Sequence, residues 1–451
     1  MNDKDLMYAG ERMIYHAKSV GATDVMVGLS AGTGKSVGVR NGKPSVTLAG
    51  GASFSVTAIV NGKHGHTSGT SFAKDDLKRV AEEAVVLAKG VSRNKHLRLA
   101  RPDEWPCTMA EIHGRLAELD RSDPRHPPTL RELECAAREL DACALRFPGI
   151  SRSEGAEFGF SDNVSVRIAS SGFLAIGRST RYSKHVQVIA EAGKEMKLGS
   201  RGHSAFYAND LRSNEECVRY AGEYAVAHLG ARPMSTCVLP VLFDNRVSPS
   251  LLGAFFGAID GEQVYRKATF LLDHLGERVF RDDVYIVESP HLSRRLDSRI
   301  YDAECVKTTP WRLVEEGRPT MWVTSIESAS KLGHPIPTGH MSAHGLSPHN
   351  MMLCPTLASR KELLQCMKRG FIVTKIMGRG VNIATGAYSV GAEGFLVENG
   401  EITRPVNKVT IAGNLLEMWK TMIPADDCSN NPSGSNAPSC LIEHMTISGK
   451  V

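Results

Sequence analysis

Three histidines within ten residues are the strongest candidates for metal chemistry in this sequence. His340, His344 and His349 lie in the segment TGHMSAHGLSPHN. Neutral imidazole nitrogens are common zinc ligands, so three converging rings could hold this ion. The Gly, Ser and Pro residues between them predict a loop, which by itself does not fix the rings in a converging geometry. The segment is therefore either a weak metal site or a solvated loop, and we expect the loop.

Short patterns typical of nucleophilic enzymes also occur, but their surroundings argue against each of them. GLSAG at 28–32 matches the G-x-S-x-G elbow, which must lead into a helix, whereas the following GKSVGVR continues as a strand. GKS at 34–36 resembles the end of a phosphate-binding loop but lacks its first glycine. S-x-x-K at 328–331 and S-D-N at 161–163 stand in reversed order, and K-T-G is missing. We expect no serine nucleophile.

The elements that must position these residues divide the chain into two parts. Hydrophobic spacing predicts four helices in the first part, near 3–19, 75–89, 130–146 and 214–229. Between them, alternating apolar and small polar residues predict strands, and Asn41-Gly42 and Asn61-Gly62 predict tight hairpin turns. We therefore expect residues 1–230 to form an α+β domain in which helices flank antiparallel sheets.

The run Gly230-Ala231-Arg232-Pro233 ends the last of these helices and is the predicted domain boundary. Beyond it the pattern is mostly that of strands, with short helices near 248–258, 326–332, 360–369 and 414–420. Residues 234–451 are predicted to form a β-rich, barrel-like domain with short helices. The polar stretch at 426–438 is predicted to be a loop before the last strand.

Four segments of the second part resemble one protein family in their order of small, apolar and turn residues. They are GRGVNIATGAYSVGAEGFLVENGEITRPVNKVTIAGNLLEMWKTM from Gly378, LLGAFFGAIDGEQVYRKATFLLDHLGERV from Leu251, DSRIYDAECVKTTPWRLVEEGRP from Asp297 and SIESASKLG from Ser325. They are similar to the TldD/PmbA family of peptidase subunits, and more closely to its PmbA (TldE) branch. The resemblance covers the C-terminal half and, more loosely, the strands of the N-terminal half.

The resemblance also locates a motif that this chain lacks. The TldD branch carries His-Glu-x-x-x-His on one helix, two zinc ligands around a general base, after an apolar pair like the one at 251–252. In that register Gly253, Ala254 and Ala258 stand where the three residues would be, and none of them can bind a metal or move a proton. None of the 16 histidines of the chain is followed by glutamate. The resemblance therefore implies no catalytic residue, no metal and no cofactor in this chain.

Cys428 is a further position that the resemblance brings up. The metal-bearing branch has a cysteine ligand in a similar place before the final strand, although the gap lengths differ. Cys428 is thus either a relic of that ligand or an ordinary loop cysteine. A single thiolate does not replace a ligand set of about four.

The resemblance further implies a cytoplasmic heterodimer in which a TldD-type partner supplies the zinc and the substrate is a peptide or an unfolded protein. Isolated, the chain could form a homodimer. We expect one strand to offer its edge to an extended peptide, because glycine inside a strand often marks a close backbone approach. Its residues are Tyr388, Ser389, Val390, Gly391, Ala392, Glu393 and Gly394. The alternative is that these glycines serve a bulge or tight sheet packing.

Composition narrows the remaining function classes. The net charge of +5 comes from 54 basic and 49 acidic residues without a like-charge run, so we expect no nucleic-acid partner. No apolar stretch approaches the length of a membrane span, and ten scattered cysteines without a C-x-x-C pair favour a reducing compartment. Two rivals to the peptidase subunit stay open. One is an independent hydrolase built on the histidine cluster, and the other is a regulatory binding protein, in keeping with the family's older label of DNA gyrase modulator.

Overall fold

The computed structural model describes residues 1–334, 336–378 and 380–449. The helices are α1 Asp3–Ser19, α2 Lys74–Gly90, α3 Ile112–Glu118, α4 Leu130–Leu145, α5 Asn214–Ala227, α6 Pro249–Ala258, α7 Gly261–Tyr265, α8 Ile326–Leu332, α9 Arg360–Met367 and α10 Leu415–Thr421. The strands of the first half are β1 Asp24–Arg40, β2 Lys43–Val60, β3 Lys63–Gly69, β4 Ile150–Ala169, β5 Leu174–Ala192 and β6 Glu195–Ala205. The strands of the second half are β7 Cys237–Phe243, β8 Ile286–Glu288, β9 Trp311–Glu315, β10 Arg318–Pro319, β11 Met341–Ser342, β12 Gly345–Leu346, β13 Met351–Leu353, β14 Arg369–Met377, β15 Val381–Asn382, β16 Ala387–Glu398, β17 Glu401–Asn414, β18 Ile423–Pro424 and β19 Cys440–Gly449.

The first half is built on one antiparallel sheet with the strand order β3-β2-β1-β4-β5-β6. Its hairpins turn where the sequence predicts. Asn41 and Gly42 have φ of 51° and 72°, and Asn61 and Gly62 have φ of 50° and 78°. Two successive residues with positive φ make the type I′ turn that matches the twist of the flanking strands.

The same order of elements occurs twice in this half. Helix, three strands and helix follow one another as α1-β1-β2-β3-α2 and again as α4-β4-β5-β6-α5, and β1 pairs with β4 at the centre. The glycine of each third strand lies against the following helix: a Cβ on Gly65 would be 2.1 Å from the Ala84 carbonyl oxygen, and one on Gly199 would be 1.9 Å from that of Ala221. The sequence shows no repeat, because the two copies share topology and this glycine contact rather than residue identity.

All four of these helices pack on one face of the sheet. That face carries the buried apolar positions of each strand, among them Val27, Val56, Val166 and Val188. Since side chains alternate across a strand, the intervening small polar residues all project from the opposite face. We call this the polar face; its central members are Gly28, Ser30, Ser53, Ser55 and Ser165.

The second half contains a closed five-stranded barrel. β14 pairs with β7, β7 with β19, β19 with β17, β17 with β16, and β16 with β14. The β14–β7 pair is parallel and the others are antiparallel. Trp419 is fully buried in the apolar core beside the barrel, where its ring stacks on Phe280 at a centroid distance of 4.9 Å. The α+β fold and the barrel are therefore confirmed.

The predicted helices recur within a few residues of their expected bounds. Among the described residues, two helices were missed. α3 shows no apolar face, because only Ile112 of its seven residues is buried, and α7 is only five residues long. The stretch at 426–438 carries no strand or helix but is anchored, since Asp427 accepts hydrogen bonds from Ser439 and Asn436 bonds to Asn431. Among the described residues, no helix has the length and hydrophobicity needed to cross a membrane.

Candidate functional site

Helix α6 carries the three positions at which the zinc motif is missing. The helix begins after Ser248, whose hydroxyl donates to the Pro438 carbonyl oxygen at 2.6 Å. Gly253 is exposed, and a Cβ there would meet nothing within 4 Å. Ala254 and Ala258 are buried in the core. These residues do not fit a zinc ion, because methyl groups and a bare backbone offer no ligand atom.

The histidine segment does not bring its three rings together. His340 and His349 are both 1% exposed, and their rings stack at a centroid distance of 5.2 Å. His344 is exposed in the turn between β11 and β12. Within the described ranges, no group of three or more His, Cys, Asp or Glu side chains is placed to hold a metal ion.

A buried carboxylate engages both of the buried histidines. Glu288 Oε2 lies 2.5 Å from His340 Nε2, and Glu288 Oε1 accepts the backbone N–H of His349. His349 Nε2 lies 2.8 Å from the Gly339 carbonyl oxygen. Burial, together with the charges of His340 and Arg299, lowers the pKa of His349 to about 3, so its ring stays neutral.

Glu288, His340 and the Thr338 hydroxyl follow one another like a charge-relay triad, but the geometry prevents this chemistry. Thr338 Oγ1 lies 2.9 Å from His340 Nδ1, accepts the Thr324 N–H at 2.7 Å and lies 3.1 Å from the Thr324 carbonyl oxygen. The hydroxyl is buried and occupied by backbone groups, so no substrate reaches it. Through Thr324, the cluster connects the segment before α8 to β8. Its role is structural.

Cys428 is half-buried in the anchored loop. Its Sγ lies 3.5 Å from the Ser429 carbonyl oxygen. Burial and the nearby Asp427 and Cys354 raise the pKa of Cys428 to about 11. The group is therefore a protonated thiol at neutral pH, whereas a zinc ligand or nucleophile requires the thiolate.

The expected peptide-binding edge at Tyr388–Gly394 is wrong. These residues belong to β16, which pairs with β17 on one side and with β14 and β15 on the other. Their backbone N–H and C=O groups face neighbouring strands, so no free edge is left for a substrate. The glycines serve close packing instead: a Cβ on Gly394 would lie 1.7 Å from the Ile372 carbonyl oxygen. Glu393 bonds across to the N-terminal half, 2.6 Å from Lys197 Nζ and 2.9 Å from the Tyr224 hydroxyl.

The enzyme-like patterns found in the sequence lie in regular elements. The segments at 28–32 and 34–36 are inside β1, and the segment at 161–163 is inside β4. Ser328 is buried and bonds to Ser325 at the start of α8, while Lys331 of the same helix pairs with Glu262 at 3.0 Å. None of these side chains has the surroundings of a nucleophile.

Two adjoining cavities open on the polar face, and the sequence analysis missed both. One, of about 490 Å³, is bounded by the central serines and glycines of β1, β2 and β4. The other, of about 340 Å³, lies between this face and residues 296–303 and 342–343 of the second half. Ser165, Arg167 and Tyr301 border both cavities, so the two lie side by side. Volumes of this order are typical of ligand sites.

The signal for the cavities is present in the sequence. In GLSAGTGKSVG, every second residue from Gly28 to Gly38 is Gly or Ser, and the alternate positions Leu29, Ala31 and Val37 are buried. A strand with one face of glycine and serine leaves space above the sheet, because those side chains fill little volume. The same residues include GLSAG, the pattern that resembles a nucleophile elbow. The alternation of small and apolar residues predicts the cavity, whereas the elbow pattern predicts a nucleophile that is not there.

Sequence profiles of one family match most of the chain. The PmbA/TldA metallopeptidase domain 1 matches residues 25–88, the central domain matches residues 118–229 and the C-terminal domain matches residues 236–449. The metalloprotease PmbA of Escherichia coli O157:H7 is 34% identical over 429 residues, which span 94% of this chain and 92% of that protein. The chain belongs to the PmbA/TldD family.

Other members of the PmbA/TldD family agree with this assignment. A PmbA homologue of Haemophilus influenzae is 32% identical over 409 residues, covering 90% of this chain and 87% of its own length. The structure of TldE from Thermococcus kodakarensis superposes with a TM-score of 0.80 at 18% identity, covering 98% of this chain and all of that one. A Bacteroides thetaiotaomicron protein described as a DNA gyrase modulator superposes with a TM-score of 0.84 at 22% identity over the full length of both. The resemblance to the PmbA branch is confirmed.

Proposed function

We propose that this PmbA/TldD-family chain is the subunit without metal in a heterodimeric peptidase. A TldD-type partner would supply the zinc, its activated water and the general base. The proposal rests on α6, which has no metal-ligand atom at the three positions of the zinc motif. Gly253 is open to solvent, and Ala254 and Ala258 are buried. The chain keeps the fold of a metalloprotease family, although α6 offers no zinc ligand. We therefore expect it to work with a second subunit that binds the metal.

In this assembly the chain would position an unfolded peptide for its partner. The polar face supports this role, because small side chains leave room over the strands and several hydroxyl groups stand ready to bond to a peptide backbone. Ser30 and Ser53 lie 3.1 Å apart across β1 and β2 and mark the centre of that surface. Contact through this face replaces the β16 edge as the proposed route of substrate binding.

We further propose a cytoplasmic location. All ten cysteines are free, and the buried ones, among them Cys217, Cys305 and Cys440, behave as small apolar core residues. A reducing compartment suits this pattern.

Co-expression with a TldD-type chain tests the heterodimer directly. The two chains are expected to elute as one 1:1 species in size-exclusion chromatography with light scattering, since obligate interfaces commonly bury about 2,000 Å² or more. The complex should contain one zinc and should cleave an unfolded peptide that neither chain cleaves alone. Separate elution at micromolar concentration would contradict the proposal.

Zinc analysis separates the proposal from an independent hydrolase. After dialysis, the isolated chain is expected to retain no stoichiometric zinc. His344→Ala serves as the diagnostic variant, because this exposed side chain can be removed without disturbing the core. One zinc per chain that is lost in this variant would establish the histidine segment as a metal site and overturn our reading.

The gyrase-modulator description of one structural relative motivates the remaining rival, a regulatory protein without peptidase role. Affinity purification of the tagged chain from its host distinguishes the two. Recovery of a TldD-type chain supports the heterodimer. Recovery of gyrase subunits without any peptidase subunit would favour the regulator.

A further inference from the structure

Three arginines from separate parts of the chain meet in the smaller cavity of the polar face. Arg121 follows α3, Arg167 belongs to β4, and Arg299 lies in the segment that precedes β9. Residues of both halves of the molecule therefore line this cavity. All three border the cavity of about 340 Å³.

These guanidinium groups give the cavity a positive charge. Among the ion pairs within 4.0 Å in the described ranges, none includes Arg121, Arg167 or Arg299. The one acidic residue that borders this cavity is Asp302. Its carboxylate already accepts the backbone N–H groups of Glu304, Val306 and Met341. The cavity therefore presents a surplus of positive charge.

Arg121 lies between the cavity and an aromatic ring. Its Nε is buried and has no hydrogen-bond partner in the described structure. Its guanidinium carbon lies 5.1 Å from the centroid of the Phe206 ring, which holds the side chain in place. Burial, with repulsion from Arg299, lowers the pKa of Arg121. A guanidinium group that is partly withdrawn from water beside a second cation is costly unless an anion joins them.

Hydroxyl groups complete the wall of the cavity. Tyr301 borders it, and burial raises the pKa of Tyr301 to about 12, so its hydroxyl keeps its proton and can donate. Ser165 stands beside Arg167 on the same strand and borders the larger cavity as well. A ligand whose acidic group sits among the arginines can therefore extend along the serine-lined surface.

We propose that Arg121, Arg167 and Arg299 bind a carboxylate group of a peptide whose chain lies along the polar face. Guanidinium groups bond carboxylates through two parallel N–H···O contacts, which suits a planar anion held from several sides. The proposal deepens the proposed function, since it names the group of the peptide that this subunit recognises. A peptide C-terminus and an acidic side chain share the same chemistry and are separated by the test below.

The test measures binding of labelled peptides to the full chain by fluorescence anisotropy. Three ten-residue peptides of otherwise identical sequence are compared: one with a free C-terminal carboxylate, one amidated, and one amidated with an internal glutamate. The free-carboxylate peptide should bind about ten-fold more tightly than the plain amide, the expected scale for a charge-assisted contact. Equal tightening by the internal glutamate identifies an acidic side chain as a ligand too, and supports the site.

Arg167→Gln and Arg299→Gln should each weaken binding of the free-carboxylate peptide more than binding of the amidated peptide, so that the preference for the carboxylate is lost. Arg131→Gln is the matched control, because Arg131 is exposed on α4 and does not border the cavity. Thermal unfolding of each variant checks that the fold is kept. Equal binding of carboxylate and amide by the unaltered chain, or an equal loss in the control, would overturn the site. Inorganic phosphate that competes as tightly as the peptide would also overturn it in favour of a small-oxyanion site.

The outcome separates this inference from the proposed function. If the chain finds no zinc partner but its carboxylate preference depends on both arginines, the site stands and the heterodimer fails. If the complex cleaves peptides and both variants keep the unaltered preference, the heterodimer stands and the site fails.

Discussion

At the scale of single residues, the histidine segment shows how a metal-like pattern becomes a structural cluster. Glu288 accepts from the backbone of His349 and lies 2.5 Å from His340 Nε2, which satisfies a carboxylate that is 1% exposed. A buried charged group is tolerated only with such partners. The spacing of the three histidines contains no information about Glu288, which is 52 positions from His340.

Glu288→Ala should therefore destabilise the protein strongly. The variant leaves Nε2 of His340 and the backbone N–H of His349 buried without a partner, and breaking a buried pair of this kind costs about 3 to 5 kcal/mol. Urea unfolding followed by circular dichroism measures the change in the free energy of unfolding. His344→Ala, in the same segment but exposed, should change it by less than about 0.5 kcal/mol. Similar losses in the two variants would refute the structural role.

A second residue-scale prediction concerns pH. Burial and mutual repulsion raise the pKa values of Asp302 and Glu304 above those of ordinary carboxyl groups. The folded state then holds protons that the unfolded state releases above about pH 4. Stability from this pair is complete below that pH and is lost as pH rises through the raised values.

Glu304→Gln should flatten this dependence, because an amide does not ionise and can still accept the Ile326 N–H that Glu304 Oε2 accepts at 2.8 Å. The free energy of unfolding should fall less between pH 5 and 8 in the variant than in the unaltered chain. Glu315→Gln, on an exposed side chain, is the control and should keep the original slope. A variant slope equal to that of the control would show that Glu304 does not titrate in this window.

At the scale of elements, the sequence predicted periodic structure well and sheet neighbours poorly. The amphipathic helices α1, α2, α4 and α5 and the Asn-Gly turns follow from local spacing and turn chemistry. The pairing of strands in the barrel does not follow from local spacing. The contacts of β16 with β14 join residues about 20 positions apart, and they depend on all five strands closing the barrel. Gly391 and Gly394 indicated close backbone approach correctly, but the backbone that approaches is the chain's own strand.

The candidate site shows the same difference between features that the sequence predicts and features that only the folded chain shows. The absence of ligand atoms at Gly253, Ala254 and Ala258 could be derived from the sequence once the family resemblance was seen. The arginine cluster could not, because Arg121, Arg167 and Arg299 lie in three segments with no common spacing. Only the folded chain brings them to one cavity.

Substitution in β16 tests the corrected role of its glycines. Gly394→Ala places a methyl group about where the Ile372 carbonyl oxygen stands, since the distance would be 1.7 Å. We expect a loss of more than about 2 kcal/mol in the free energy of unfolding, or no folded protein. Gly391→Ala should cost less than about 1 kcal/mol, because its added Cβ lies 3.4 Å from the nearest atoms of Met377. Equal tolerance at both positions would contradict the packing role.

At the scale of the whole molecule, a small polar network joins the two halves. Glu393 of the barrel bonds to Lys197 of β6 and to Tyr224 of α5. Burial would raise the pKa of Glu393, but the Lys197 ammonium and the Tyr224 hydroxyl outweigh it and lower the pKa. Arg201 and Arg212 add hydrogen bonds to Asn431 and Asn430 in the anchored loop. The halves are therefore fixed to each other where β6 and α5 meet the barrel and the anchored loop.

Glu393→Gln should weaken this connection. The variant removes the charge that Lys197 faces, and hydrogen bonds to charged groups contribute about 1.5 to 3 kcal/mol. A double-mutant cycle with Lys197→Met measures the coupling energy in urea unfolding. The exposed pair Arg312–Glu315, treated the same way, should show about 0 to 1 kcal/mol. No greater coupling at Glu393 would show that this ion pair does not hold the halves together.

The closed barrel has a consequence for how the chain is made. β19, starting at Cys440, fits between β7, starting at Cys237, and β17. During synthesis at about 5 to 20 residues per second, β7 leaves the ribosome roughly 10 to 40 s before the strand that completes its pairing. The N-terminal sheet, whose strands are all in place by Ala205, can fold in that interval. The nascent barrel meanwhile exposes unpaired strands, and we expect it to be the part of the newborn chain that chaperones protect.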